Sequence, residues 1–392
     1  MATPVSTVYF VVPWYPEQPR GGAEVLAQST VHYLRRNGVD ARVLTTCIPD
    51  FRADWAVNTF PQGPTTVDGI PVERFPADSR DWRLFDQVNL RIMRGESVTE
   101  VEAAIYFEEG IRSRAIEARV AQLPADARVI YMPYMFGTTY WGMKIRPGWL
   151  LPCLHNEDYA HLSPFRAMFA ASEGILCNAR PESDLVMEMF DIPRERVFSI
   201  GTGVETQPQG NPARFRERFK IDEPFMVHVG RKDHGKNVDG LINDFAAFAR
   251  NQAGSCKLIL IGPGTMPIDQ SMADRIIDLG YLSDQDKRDA VAAAEVLCVP
   301  SVNESFSFVL MEAWLLNTVV LVNARCPVTS DHVRAAAGGL EYDGAAEFAG
   351  SLRWILNHPH EARRMATNGG NYVRRNFDWN IIVARLRRAL AI

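Results

Sequence analysis

Short runs of consecutive apolar residues recur along the chain, each closing in a polar or glycine-rich turn and followed by a stretch with helical spacing. Residues 7–13 (TVYFVVP) form the first run, unbroken and rich in β-branched and aromatic side chains. That composition predicts a strand buried on both faces, as in a parallel sheet. Its turn ends in Arg20-Gly21-Gly22-Ala23-Glu24, a helical pattern through Val25, Leu26, Val31, Tyr33 and Leu34 stops at Gly38, and a strand resumes over 40–46. From about residue 49 to 123 the pattern is scattered, with charged helical stretches such as 99–122; interleaved acidic residues there make a solvated face the default for Arg112, Arg114 and Arg119. Alternation then returns, with strands expected over 128–133, 149–154, 174–177 and 196–200 and helices between them.

Residues 201–212 (GTGVETQPQGNP) have the composition of a linker. Beyond it a second alternation predicts strands over 225–229, 257–261, 275–279, 296–300 and 318–322, with helices over 238–251, 284–294 and 308–316. Three helices are expected from 345 to the C-terminus. The fold class is therefore α/β, with two doubly wound domains joined by a linker and a predicted cleft between them.

At 392 residues, the length matches two domains, and 47% hydrophobic with 23% charged residues excludes a disordered or low-complexity architecture. A net charge of -5 provides no basic field, which argues against nucleic acid as a partner. Six cysteines are spread without C-x-x-C pairs, four of them in or beside apolar runs, as small core residues in a reducing compartment are. The first residues lack a basic leader pattern, and no segment nears the roughly 18 apolar residues of a membrane span. The expected location is cytoplasmic.

Candidate chemistry gathers where strands end. The stretch 296–316 (VLCVPSVNESFSFVLMEAWLL) enters a polar loop holding Glu304 and leaves as an apolar helix holding Glu312. A carboxylate in a helix apolar all round needs a ligand hydroxyl pair or a cation from elsewhere, although a narrow wet face or a core arginine would also account for it. Gly21-Gly22 ahead of a helix would let backbone N–H groups approach an anion, or form a simple turn. Residues 230–236 (GRKDHGK) match the P-loop spacing, but Asn237 stands where a P-loop needs Ser or Thr, so Arg231 and Lys236 are instead expected to act as two independent cations facing a diphosphate. Gly262, after the run LILI, and the turn Gly280-Tyr281-Leu282 are places where backbone meets a flat base. No G-x-G-x-x-G occurs, so a nicotinamide fingerprint is missing. His155 opens His155-Asn156-Glu157-Asp158 at a strand end, with consecutive side chains rather than metal-ligand spacing; no metal site is expected.

Together Gly21-Gly22-Ala23-Glu24, His155, Gly230-Arg231 with Lys236-Asn237, and the pair Glu304 and Glu312 resemble the retaining glycosyltransferases of family four, whose two Rossmann-like domains face each other in the GT-B fold. The resemblance covers nearly the whole chain. It implies an acceptor-side domain over 1–205, a nucleotide-sugar domain over 206–372, and a terminal helix over 373–392 returning to the first domain. Glu312 would accept the ribose hydroxyls, and Glu304 would fix the transferred sugar. Arg231 and Lys236 would neutralise the diphosphate, helped by backbone N–H groups around Ser305, Phe306, Ser307 and Phe308. His155 would touch the donor sugar, and the Gly22 loop would close over phosphates or acceptor. Two departures stand out: Ser305 and Ser307 occupy positions where the family usually has glycines, and Cys326-Pro327-Val328-Thr329 replaces a glycine-rich segment.

The resulting expectation is a metal-independent, retaining transfer from a nucleotide-diphosphate sugar to an acceptor hydroxyl in glycan, polysaccharide or glycoconjugate synthesis. No cofactor is expected beyond this co-substrate, among which a UDP-sugar is favoured. The acceptor is a glycan, a small molecule or a lipid-linked group; membrane association is not indicated. The rivals are a nucleotide-sugar epimerase of the same fold, a P-loop phosphotransferase and a non-catalytic nucleotide-sugar-binding protein.

Overall fold

The computed structural model describes residues 7–19, 21–250 and 256–392; Arg20 and Asn251, both part of expected elements, lie outside them. The chain divides into two compact units, Met1–Gly203 with Trp379–Ile392, and Val204–Asp378. Each is built on one sheet with helices packed against it.

In the first unit the strands are β1 (Val8–Val12), β2 (Ala41–Thr46), β3 (Gly63–Val67), β4 (Ile70–Phe75), β5 (Arg128–Tyr131), β6 (Trp149–Leu150), β7 (Gly174–Cys177) and β8 (Val197–Ser199), in the order β3-β4-β2-β1-β5-β6-β7-β8. All neighbours are parallel except β3 and β4. β1 is buried at every position, as a central strand covered on both faces must be. The β3–β4 hairpin lies in the stretch 49–123, whose pattern is scattered. Its two-residue turn is Asp68-Gly69, both at positive φ (49° and 76°), the left-handed geometry that matches the twist of paired strands.

The charged stretch 99–122 is not one helix but two, Glu100–Glu108 and Arg114–Ala121, the second capped by the Ser113 hydroxyl. Arg112 between them pairs with Glu108 (2.6 Å) and Glu117 (2.7 Å), Arg114 with Asp78 (2.9 Å) and Arg119 with Glu73 (2.9 Å). The strand expected over 149–154 also shortens: β6 ends at Leu150, and Cys153 at φ 55° turns the chain out of the sheet ahead of His155. The terminal helix Trp379–Leu390 belongs to the first unit. Trp379 stacks on Tyr33 with ring centres 4.3 Å apart, and a Cβ on Gly203 would sit 2.2 Å from that indole. Arg385 donates to the Ile200 carbonyl (3.0 Å).

In the second unit the strands are β9 (Phe225–Val229), β10 (Lys257–Ile261), β11 (Ile276–Asp278), β12 (Val296–Val299), β13 (Val319–Asn323) and β14 (Gly339–Tyr342), all parallel, in the order β11-β10-β9-β12-β13-β14. Connections from β9 run outward one way through β10 and β11, then jump to the other side at β12. The end of the expected linker is structured. Pro212 opens the helix Pro212–Phe219, capped by Asn211, and Arg214 in that helix pairs with the buried Asp289. A helix at Pro327–Ala336 and strand β14 were also not anticipated. Their apolar positions are too few for a clear period, and neighbours in the sheet supply the rest of the burial. Among the described residues no helix is long and apolar enough to cross a membrane.

Candidate functional site

Doubly wound sheets bind ligands beyond the carboxyl ends of their strands, where the winding reverses. In the second unit that point lies between β9 and β12, which pair through Val296↔Met226 and Leu297↔Val227. The loop leaving β9 carries Arg231 and Lys236, and the loop leaving β12 carries Glu304.

Side-chain amides hold these loops together. Asn237, at φ 54°, donates to the Pro300 carbonyl at 3.0 Å, and Asn323 at the end of β13 donates to the same oxygen at 3.1 Å. Lys236 Nζ then meets Glu304 Oε1 at 2.7 Å, with both side chains largely covered. The pair corrects the expectation of two independent cations. Lys236 is engaged by a carboxylate of the neighbouring loop, while Arg231 is half-exposed and pairs with Asp233 (3.1 Å). The P-loop spacing does not form a phosphate cradle either, since the Lys236 N–H is taken by Asp233 Oδ1 at 2.9 Å within the short turn His234–Lys236.

Several supporting residues were not identified from the sequence. Lys232 is buried, and its ammonium is paired with Asp278, whose carboxylate also accepts the Gly280 N–H at 2.8 Å. It thereby ties the Arg231 loop to the turn of Tyr281 and Leu282. Gly262, expected to meet a base, instead packs against this loop. At φ +139°, its Cβ would fall 1.9 Å from the Gly230 carbonyl oxygen, so glycine is required there by backbone contact. Tyr281 is 67% exposed and Leu282 half-buried. His228, within β9, is buried with Nδ1 3.3 Å from the Cys298 carbonyl and Nε2 unpartnered. Burial lowers its pKa to about 4, with Lys236 adding to the fall and Glu304 opposing it, so the ring is neutral. A histidine inside an apolar run was the available signal.

Beyond Glu304 the loop runs through the half-exposed Ser305 to Phe306, whose buried ring packs edge-on against Phe308 (5.4 Å), His332 (5.6 Å) and Phe377 (5.1 Å). The helix begins at Phe308, where the pattern placed it, because Ser307 at φ 74°, ψ 77° is left-handed and cannot continue a right-handed turn. The helix Phe308–Leu315 buries Leu310, Met311, Ala313, Trp314 and Leu315 and packs on Pro359–Asn376, where a Cβ on Gly369 would strike Trp314 at 2.2 Å.

Glu312 lies on the remaining side of that helix. The residue as a whole is half-buried, yet its carboxyl is deep enough that desolvation raises its pKa; Lys287 and Arg288 pull it down and Asp284 adds to the rise. Among the described residues its carboxylate makes no hydrogen bond or ion pair. From Phe308 to Glu312 is four residues, about 6 Å of helix.

In the first unit the helix Gly22–Arg36 follows β1. Gly21 is its N-cap, with its N–H bonded to Glu24 at 3.1 Å. Both glycines avoid the left-handed region, and a Cβ on Gly22 would meet nothing within 4 Å, so packing does not account for glycine there. His155 follows the short β6, with Nδ1 3.5 Å from Glu157, and Glu157 also accepts the Tyr134 hydroxyl (2.8 Å). Glu182 anchors this segment. Buried on the helix Arg180–Phe190, it accepts the N–H groups of Leu154 and Asn178, both at 2.6 Å. Desolvation raises its pKa to about 7 despite those bonds. Its carboxyl is desolvated like that of Glu312, but here the protein supplies the partners.

Among the described residues no group of three or more His, Cys, Asp or Glu side chains is placed to hold a metal ion. Two surface hollows are lined by other residues, one in the first unit beside Asn156, His161 and Arg166, the other in the second beside Asn368, Tyr372 and Arg375.

The family model described as Glycosyl transferases group 1 matches residues 211–372, which include Arg231, Lys236, Glu304 and Glu312. The chain is 24% identical to a D-inositol 3-phosphate glycosyltransferase of Saccharomonospora viridis, over 93% of this chain and 88% of that relative. In structure it is similar to a sucrose-phosphate synthase from Thermosynechococcus elongatus (TM-score 0.72, 16% identity, 98% of each chain). It is also similar to the Anabaena protein HepE in complex with UDP and glucose (TM-score 0.69, 15% identity, 98% of this chain and 99% of that one).

Proposed function

We propose that the chain is a glycosyltransferase of group 1 with the GT-B fold that moves a sugar from a nucleotide-diphosphate sugar to an acceptor hydroxyl with retention at the anomeric carbon. The observation that carries this proposal is the Lys236–Glu304 pair at the point where the second sheet reverses its winding.

A donor placed there meets Lys236 and Arg231 with its diphosphate, and the N-terminus of the helix Phe308–Leu315 adds a favourable dipole. Lys236 has three N–H donors, enough to keep Glu304 and take a phosphate oxygen. Glu304 accepts hydroxyls of the transferred sugar, and Glu312 accepts the ribose hydroxyls. In the transfer the bond from the anomeric carbon to the phosphate oxygen breaks and a bond to the acceptor oxygen forms on the same face. The acceptor's proton passes to an oxygen of the departing diphosphate, so no further reactant is needed. In the first unit, His155 and the Gly21-Gly22 turn take the sugar and acceptor roles.

A UDP-sugar is the first donor to try, supported by the UDP and glucose held by HepE. A phosphorylated polyol is the first acceptor, supported by the name of the S. viridis relative. The test is a screen of UDP-, GDP- and ADP-sugars for release of nucleoside diphosphate, with and without acceptor. Release that rises with acceptor supports transfer, whereas an epimer formed from donor alone, or binding without turnover, points to another activity.

A further inference from the structure

Ser307 carries two unfavourable features at once. Its backbone is in the left-handed region (φ 74°, ψ 77°), which glycine adopts freely and a residue with a Cβ does not. Its hydroxyl is buried, with the residue 6% exposed, and the oxygen has no hydrogen-bond partner among the described residues. As N-cap of the helix Phe308–Leu315 it would ordinarily bond a first-turn N–H, but this conformation makes no such bond. Glycine at the position would remove both penalties, so nothing among the described residues accounts for serine. Strain and an unsatisfied group held together point to a ligand.

The surroundings define the ligand's chemistry. The first backbone bond of the helix runs from Met311 N–H to Ser307 O (3.4 Å), leaving the earlier N–H groups without intrahelical acceptors. Three residues upstream, Glu304 is already engaged by the Lys236 ammonium. The hydroxyl, the free N–H groups and the ammonium are all donors, and the helix dipole adds positive potential, which together fit an anionic oxygen. Ser305 and Phe308, on either side, are half-exposed, so the hydroxyl lies just under the loop surface.

We infer that the Ser307 hydroxyl donates a hydrogen bond to a phosphate oxygen of the bound nucleoside diphosphate, making it a donor-positioning residue; the inference rests on the nucleotide-sugar site proposed above. Serine here trades fold stability for grip on the diphosphate.

The test compares wild type, Ser307→Gly and Ser307→Ala by calorimetric titration with UDP and with uridine, alongside thermal unfolding. Ser307→Gly is expected to unfold roughly 2–4 °C higher, as relief of about 1 kcal/mol gives in a domain of this size. It is also expected to bind UDP about tenfold more weakly, with uridine affinity unchanged. Ser307→Ala, which keeps the backbone strain, is expected to lose UDP affinity without the full gain in stability. A glycine variant that binds UDP as tightly as wild type overturns the inference and leaves the donor site standing. A wild type that binds neither UDP, GDP nor ADP overturns both.

Discussion

Lys236 Nζ lies 2.7 Å from Glu304 Oε1, joining residues 68 positions apart whose loops leave adjacent parallel strands. The contact is local to the second unit and places a cation beside a carboxylate at the reversal of the winding. A cation held this way keeps its position without a ligand.

Replacing Lys236 with alanine removes positive charge where the proposed transfer develops leaving-group charge, and leaves Glu304 unpaired. The expected loss in kcat is on the order of a hundredfold, typical for one transition-state donor. Steady-state kinetics of donor hydrolysis check it, and unimpaired turnover would sink the leaving-group role.

Glu312→Gln separates binding from folding. Burial raises the Glu312 carboxyl pKa, so the fold binds its proton more tightly than the unfolded chain does. The sign follows: stability at this site is highest at low pH and falls as pH rises through the raised value. The glutamine variant is therefore expected to unfold at a higher temperature than wild type at pH 8, with the gap closing near pH 4. Its donor KM should rise by roughly tenfold, the cost of one charge-assisted hydrogen bond. An unchanged KM would exclude Glu312 from ribose binding.

The Lys232–Asp278 pair is buried on the lysine side, so Asp278→Asn leaves an uncompensated buried ammonium and is expected to cost about 3–5 kcal/mol. Pairing it with Lys232→Met should recover much of that loss. Denaturant titration of the two variants decides whether the ion pair holds the Arg231 loop. Gly262→Ala, with its Cβ directed at the Gly230 carbonyl, should destabilise the same loop without changing any charge.

Burial lowers the pKa of His228 and of His332 to about 4. Between pH 6.5 and 4 the unfolded chain takes up protons that the fold refuses, so stability is fully present above about 6.5 and is lost as the pH falls. The limit is roughly 3 kcal/mol per histidine. His228→Asn keeps a donor for the Cys298 carbonyl and cannot titrate; its unfolding midpoint should fall less steeply with acid than that of wild type. Parallel slopes would contradict a neutral His228.

The alternation of apolar runs and helical stretches was legible because strands of a parallel sheet are covered on both faces and so read as unbroken β-branched runs; β9 and β10 fall where the pattern placed them. Edge elements escaped it. The hairpin β3–β4 has an exposed strand whose pattern is weak, although Asp68-Gly69 marked its turn. Helices such as Pro212–Phe219 owe their place to long-range partners, here Asp289, that no local window contains.

The same boundary runs through the candidate site. Sequence alone determined which chemical groups follow which strands, because residue type and the strand-to-turn rhythm are local properties. Glu304, Glu312, Arg231, Lys236 and the serines in place of glycines were all visible that way. Only the tertiary structure decided which of those groups are engaged, since pairing depends on strand order. β9 and β12 are neighbours though β10 and β11 lie between them in sequence, and that adjacency brings Lys236 to Glu304. Tertiary packing likewise sets Gly262 against Gly230, gives Glu182 of the first unit its backbone N–H partners, and leaves the Glu312 carboxyl and the Ser307 hydroxyl without hydrogen-bond partners among the described residues.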